Sequence, residues 1–204
     1  HGLGKTPDFI IFKNRDAGDN WTTWHKDLTA GYNLILDGNN VQGASGALQS
    51  PYVDSSFIYL GGTGDSPGDW VSTNTSGENF VFYAWTGIEG YSKFGSYVGN
   101  GNTDGPFIYT GFRPAFIIGK KITSSDSREW WMHDTKRDGG VNGTNQRILY
   151  PHLPDVEDTG LRLDMYANGF KLRPAGSLEH WNESGHTLIY IAFAEMPFKY
   201  ANAR

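Results

Sequence analysis

The sequence predicts an all-β protein: a two-repeat β-sandwich of the jelly-roll or lectin-like kind. Three observations predict it. Short apolar runs rich in β-branched and aromatic residues recur between Gly, Pro, Asn and Asp. Almost nothing carries the i, i+3, i+4, i+7 stripe of a helix. An internal repeat runs through the whole chain. Composition agrees, with 27 Gly and 15% aromatics, seven of them Trp, in 204 residues. Many turns and many flat rings suit a sandwich with a sticky surface.

The expected strands, in order, are residues 9–12, 34–36, 57–60, 80–85, 107–109, 116–118 and 188–193. Residues 90–98 read as one further strand, and Asn100-Gly101 as a tight turn returning it to 107–109, because both central residues of a type I′ turn need positive φ. The best helical candidate is residues 154–159, where acidic residues follow a proline. Phe9, Ile11, Phe82, Trp85, Phe116, Ile118, Ile189, Ile191 and Phe193, with Trp21 and Trp130, include the expected core of both copies, although alternation turns some of them outward.

The repeat is read from ordered matches. Thr6-Pro7-Asp8-Phe9-Ile10-Ile11 matches Arg113-Pro114-Ala115-Phe116-Ile117-Ile118, 107 positions later. Trp21 pairs with Trp130, Phe57 with Phe170, and the run 80–85 after Ser76-Gly77 with the run 188–193 after Ser184-Gly185. Equal hydrophobic patterns bury equal faces, so residues 1–96 and 97–204 are expected to be two copies of one β unit, packed together. The first copy has no counterpart of residues 90–98 ahead of His1, so the chain reads as the end of something longer.

Charge and composition narrow the function. Net charge is −5 and charged residues are 19%, which opposes a nucleic-acid binder with its basic face. The longest apolar stretch, residues 188–194, is far too short for a membrane-spanning helix. The chain has no Cys, which excludes disulfides and thiolate metal sites.

Several strings together resemble a family. His1-Gly2-Leu3-Gly4-Lys5-Thr6-Pro7-Asp8-Phe9-Ile10-Ile11-Phe12-Lys13-Asn14-Arg15 resembles a recurrent domain of unknown function in marine phage and prophage proteins. So do Glu89-Gly90-Tyr91-Ser92-Lys93-Phe94-Gly95-Ser96-Tyr97, Thr110-Gly111-Phe112-Arg113-Pro114-Ala115-Phe116 and the string from Phe193 to Arg204. The resemblance covers nearly the whole chain. It implies the C-terminal part of a tail-fibre-like or other virion appendage, on the virion exterior, with a role in adhesion, other virion proteins as partners and a homotrimeric assembly. It implies no catalytic residue. The family's Asp in a Trp-x-x-x-Asp stretch stands here as Asp134, with His25 at its place in the first copy.

Motifs for chemistry are weak. Gly4-Lys5-Thr6 lacks the upstream Gly of a phosphate loop and is followed by Pro7 and a strand. Gly43-Ala44-Ser45-Gly46 is one residue short of a nucleophile elbow. The six His are scattered, with no His-x-x-x-His pair for zinc. No cofactor is expected. Residues 16–20 and 65–69 offer oxygen ligands for a loop calcium, but Asx turns explain both equally. Glu78, Glu89, Glu129, Asp134, Glu179, Glu183 and Glu195 are the acids from which a glycan-degrading enzyme would draw its pair, and nothing singles out two of them.

The aromatic clusters point to binding. Trp24, Trp70, Trp131 and Trp181, with His133 and Asp134, are the candidate glycan-binding residues, because most stand where the two copies differ. A sugar platform needs a flat apolar ring face with polar groups at its rim. A ring used this way is half-exposed, so Trp131→Ala or Trp70→Ala is expected to weaken binding and leave the melting temperature nearly unchanged. The expected function is non-catalytic recognition of a host cell-surface glycan by a phage tail fibre or appendage. The alternatives are a purely structural virion assembly or decoration module and a polysaccharide-degrading enzyme.

Overall fold

The computed structural model describes residues 1–44, 53–60, 73–123, 126, 128–137, 142, 146–174, 176 and 178–196. They form two compact units, His1–Thr86 and Gly87–Arg204. The expected all-β class holds: three antiparallel sheets and one single-turn helix account for the regular structure of the described residues.

The first unit contains β1 (Phe9–Asn14), β2 (Thr22–His25), β3 (Tyr32–Ile35), β4 (Gly43–Ala44) and β5 (Phe80–Trp85), in one sheet of order β4-β3-β2-β1-β5. Alternation along β1 sends Ile10 and Phe12 to one face, where they meet Trp24 and are covered by Leu28, Val53 and Ile58. The last strand returns by a long connection to lie beside the first, the Greek-key arrangement.

The second unit contains β6 (Ser92–Val98), β7 (Phe107–Tyr109), β8 (Pro114–Lys121), β9 (Trp131–Asp134), β10 (Arg147–Leu149), β11 (Asp158–Thr159), β12 (Leu163–Tyr166), β13 (Gly169–Leu172), α1 (Leu178–Trp181) and β14 (Thr187–Ala194). A six-stranded sheet, β11-β10-β9-β8-β14-β6, and a three-stranded sheet, β12-β13-β7, form its two layers. Ile117, Trp131, Leu188 and Tyr190 of the larger sheet and Ile108, Phe170 and Leu172 of the smaller share one buried cluster.

The repeat is visible in topology and in register. The order β4-β3-β2-β1-β5 recurs as β11-β10-β9-β8-β14. Phe9↔Trp85 and Phe12↔Phe82 in the first unit become Phe116↔Phe193 and Gly119↔Tyr190 in the second. Ile10↔Trp24 becomes Ile117↔His133, and Phe12↔Thr22 becomes Gly119↔Trp131.

Five expectations need correction. Phe57 is not the partner of Phe170: the hairpin bridge Val53↔Ile58 is the equivalent of Met165↔Phe170. A slip of one residue flips the side chain to the other face, which is why Ile58 packs on the core and Phe57 is exposed. Residues 90–98 do not form a hairpin with 107–109. Buried Asn182 takes up the Asn100-Gly101 turn instead, donating to Asn100 Oδ1 (2.6 Å) and Asn102 O (2.7 Å). That leaves β6 on β14 and carries β7 into the other layer, beside β13. The units divide between Thr86 and Gly87, because β6 belongs wholly to the second sheet. The single helical turn is at Leu178–Trp181, while residues 158–159 form an edge strand on β10. Of the expected core, Trp130 is fully buried, Trp21 and Ile11 are half-buried, and Phe82 is 47% exposed.

Candidate functional site

Four of the six expected glycan-binding residues have no ring face to offer. Trp24 is 6% exposed, Trp131 0% and Trp181 1%, and His133 is buried as well. Trp24 packs with Ile10 and Phe12. Trp131 packs on Trp181 with centroids 4.4 Å apart and planes tilted 36°. The difference between the copies that drew attention to Trp131 is a packing exchange. Where the first sheet pairs large Phe12 with small Thr22, the second pairs Gly119 with Trp131. A Cβ on Gly119 would overlap the indole, so glycine is what admits the ring. Trp70 lies outside the described residues.

Asp134 is a turn residue. Its Oδ1 accepts from the backbone N–H of Lys136 (3.0 Å) and Arg137 (2.9 Å). His25 does the same work in the first unit, its Nδ1 accepting from Asp27 N–H (3.1 Å). Either side chain closes the turn after the second strand, which accounts for the exchange of His for Asp.

A concave feature of the second unit lies at its sheet edge, on the segment that follows β10. Chain 150–159 leaves β10 at Tyr150, turns with Leu153 N–H donating to Tyr150 O (3.0 Å), and runs back as β11, pairing Ile148↔Asp158 and Arg147↔Thr159. Pro154 and the acids after it would suit a helix start, but residues 158–159 pair with β10 as an edge strand instead. The result is an open groove of about 590 Å³ lined by Tyr150 and by residues 154–159. Val156, 88% exposed, stands at its edge.

Three polar groups of the groove, Tyr150, Glu157 and Asp158, are fixed by neighbours. The Tyr150 hydroxyl donates to Asp158 Oδ2 (3.1 Å), which also pairs with Arg162 Nη2 (3.1 Å). The Arg162 guanidinium lies 5.9 Å from the Trp181 ring. Arg162 therefore links the buried Trp181 ring to Asp158 of the groove lining. Burial first, and then the Asp158 charge, push the Tyr150 phenol up to about 12, so it is a neutral donor at ordinary pH. Glu157 pairs with Arg147 (2.7 Å) and Arg137 (3.3 Å), and the Arg147 hydrogen bond leads in holding its carboxyl below the usual range. Arg137 also pairs with Asp134 (2.6 Å), so Asp134 reaches the groove through one intermediary. Asp134 is itself held low: burial raises it, and the Arg137 backbone and side-chain hydrogen bonds outweigh that. Asp155 faces the groove and makes no ion pair among the described residues.

Four of the other candidate acids are engaged elsewhere: Glu129 with His152 (2.6 Å), Glu183 with buried Lys121 (2.5 Å), Glu195 with Arg113 (3.0 Å) and Glu78 with Asn14 Nδ2 (2.5 Å). In the 16–20 loop, Asp16 accepts from Asn79 N–H (2.5 Å) and Asp19 from Asn14 Nδ2 (2.7 Å), and among the described residues no group of three acids or histidines is placed to hold a metal ion. The 65–69 loop lies outside the described residues.

The sequence missed the groove because its signal, acidic residues after a proline, is shared with a helix start. What distinguished the two was the pairing of 158–159 with β10, a tertiary event.

The family description "domain of unknown function (DUF7483)" fits residues 1–197. No curated protein and no solved structure matches the chain. With all but the last seven residues covered, the chain belongs to the DUF7483 family, a family of unknown function.

Proposed function

We propose that the chain is a non-catalytic recognition module that binds a cell-surface glycan in the groove of its second unit. The observation that carries this is the combination in one open groove of an aromatic side chain with a fixed hydroxyl, Tyr150, and three carboxylates, Asp155, Glu157 and Asp158. A pyranose offers an apolar C–H face to a ring and vicinal hydroxyls to carboxylate and hydroxyl partners. Glu157 and Asp158 are pinned by Arg147, Arg137 and Arg162, so little side-chain order is lost on binding. The resemblance to phage appendage domains supports a place on the virion exterior, as part of a homotrimeric tail fibre or appendage that works beside other virion proteins.

The test is a glycan array and a bacterial polysaccharide pull-down with the intact chain, repeated with Tyr150→Ala and Asp155→Asn. Retention of a defined glycan by the native chain, lost in both variants, supports the reading. Retention unchanged by both moves the site elsewhere, and absence of any glycan binding overturns it. A rise in reducing ends during incubation with polysaccharide would replace recognition by hydrolysis.

A further inference from the structure

The two units treat the same strand differently. In the second unit β14 is sandwiched in its sheet between β8 and β6; in the first, the equivalent β5 pairs with β1, and among the described residues no strand pairs with its other edge. The backbone direction of that edge can be read directly. Arg15 N–H donates to Asn79 O (2.8 Å) and Asp8 N–H to Trp85 O (2.7 Å), so alternate residues 79, 81, 83 and 85 face β1. Phe80, Phe82 and Ala84 then direct their N–H and C=O groups to the open side. Their equivalents Leu188, Tyr190 and Ala192 direct theirs to β6, as Gly99 N–H to His186 O (2.9 Å) and Ala194 N–H to Tyr91 O (2.8 Å) confirm at the two ends.

Among the described residues the β5 edge also lacks the usual protection. Phe80–Trp85 reads FVFYAW, with no charge, no proline and no bulge, and both Phe82 and Tyr83 are about half exposed. The apolar sequence of β14, by contrast, is mostly buried.

We infer that the outer edge of β5 accepts an extended segment of another polypeptide, antiparallel to it, with a glycine opposite Phe82. The glycine requirement comes from the second unit. Tyr190, the equivalent of Phe82, is in register with Gly95, and a Cβ there would lie 2.9 Å from Cζ and 3.0 Å from Cε1 of the Tyr190 ring, atoms that a phenylalanine shares. An aromatic ring crossing the neighbouring strand needs a glycine beneath it. A second copy of β5 cannot fill the role, because FVFYAW holds no glycine. The occupant is a strand with the pattern of β6, SKFGSYV, in which larger side chains flank a central glycine.

The experiment uses the intact chain and a labelled synthetic peptide, YSKFGSYVG, with the sequence of residues 91–99. Fluorescence anisotropy is expected to show saturable binding. In β6 the odd-numbered residues face β14, so N-methylation at the Lys93, Gly95 and Tyr97 positions of the peptide should weaken binding about tenfold or more, and N-methylation at Phe94 and Ser96 should not. Valine in place of the peptide's glycine should weaken it similarly. Phe82→Pro in the protein deletes an outward N–H while leaving the β1 side intact, and should abolish binding. If that variant does not fold, protection of the Phe80, Phe82 and Ala84 amides on addition of peptide to the native chain gives the same answer. No binding at millimolar peptide, indifference to which amides are methylated, or binding that survives in a folded Phe82→Pro protein each overturns the inference. Self-association through β5 that the peptide does not displace would also overturn it, in favour of a second copy.

Discussion

Trp131 lies in register with Gly119, over the space that any larger residue at 119 would fill. Its counterpart pair in the first unit, Phe12 and Thr22, places the large side chain on the other strand. The same fold thus fills its core from opposite sides in its two copies. Volume must be conserved at such a pair, because interiors are close-packed.

Gly119→Ala is expected to destabilise the protein by about 1–3 kcal/mol through overpacking, and Trp131→Ala by about 3–5 kcal/mol through cavity formation. In the first unit, Phe12→Gly with Thr22→Trp should cost less than the sum of the two single changes, since the pair couples directly. Urea denaturation measures all of these. A silent Trp131→Ala would return the ring to the surface.

His25 and Asp134 close equivalent turns, so they should be exchangeable in kind. His25→Ala and Asp134→Ala should each cost about 1 kcal/mol, and His25→Asp should restore most of the loss in its unit. Thermal denaturation of the four proteins, wild type included, decides it. Equal losses for His25→Ala and His25→Asp would show that the hydrogen bond to Asp27 N–H is not what the histidine supplies.

In the groove, binding and stability should separate. Asp155→Asn touches no ion pair among the described residues and should leave the melting temperature within about 1–2 °C while weakening glycan retention. Tyr150→Phe keeps the ring and loses the hydrogen bond to Asp158, so it should weaken binding less than Tyr150→Ala does. Paired melting curves and binding isotherms check the order.

Acid should loosen the groove before it unfolds the units. The Glu157 carboxyl titrates below its ordinary 4.5 because Arg147 and Arg137 hold its charged form. For a group lowered on folding, the contribution is fully present above the unfolded value and is lost as pH falls through the folded one. The loss therefore begins below about 4.5, is small because the pair is exposed, and fades in high salt. Carboxyl chemical shifts of Glu157 in the native chain and in Arg147→Gln should show the native value lower.

Lys120 works the other way. Burial lowers its ammonium to about 7, with Glu129 opposing. The unfolded chain then holds the extra proton between about 7 and 10.5, so stability rises with pH across that window. Lys120→Met should raise stability most below pH 7, with the gain shrinking as pH climbs. A gain independent of pH would mean that the lysine is not charged at the cost of the fold.

The sequence by itself determined the class and the repeat. Short apolar runs of β-branched and aromatic residues bounded by turn residues favour strands, and two runs of the same pattern build the same sheet. That is why Phe9 and Phe116, or Trp85 and Phe193, occupy the same register positions. Tertiary structure decided which aromatics are seen from outside. Alternation names two faces and cannot say which is covered, so Trp24, Trp131 and Trp181 went into cores while Phe82 and Tyr83 stayed exposed. It also decided strand partners: the Asn182 amide, 82 positions from Asn100, turned a local hairpin signal into a change of layer. The groove belongs to the same class of outcome. Tyr150, Asp158 and Arg162 meet because β11 folds back on β10, and contacts assembled across strands leave no periodic trace in the chain that makes them.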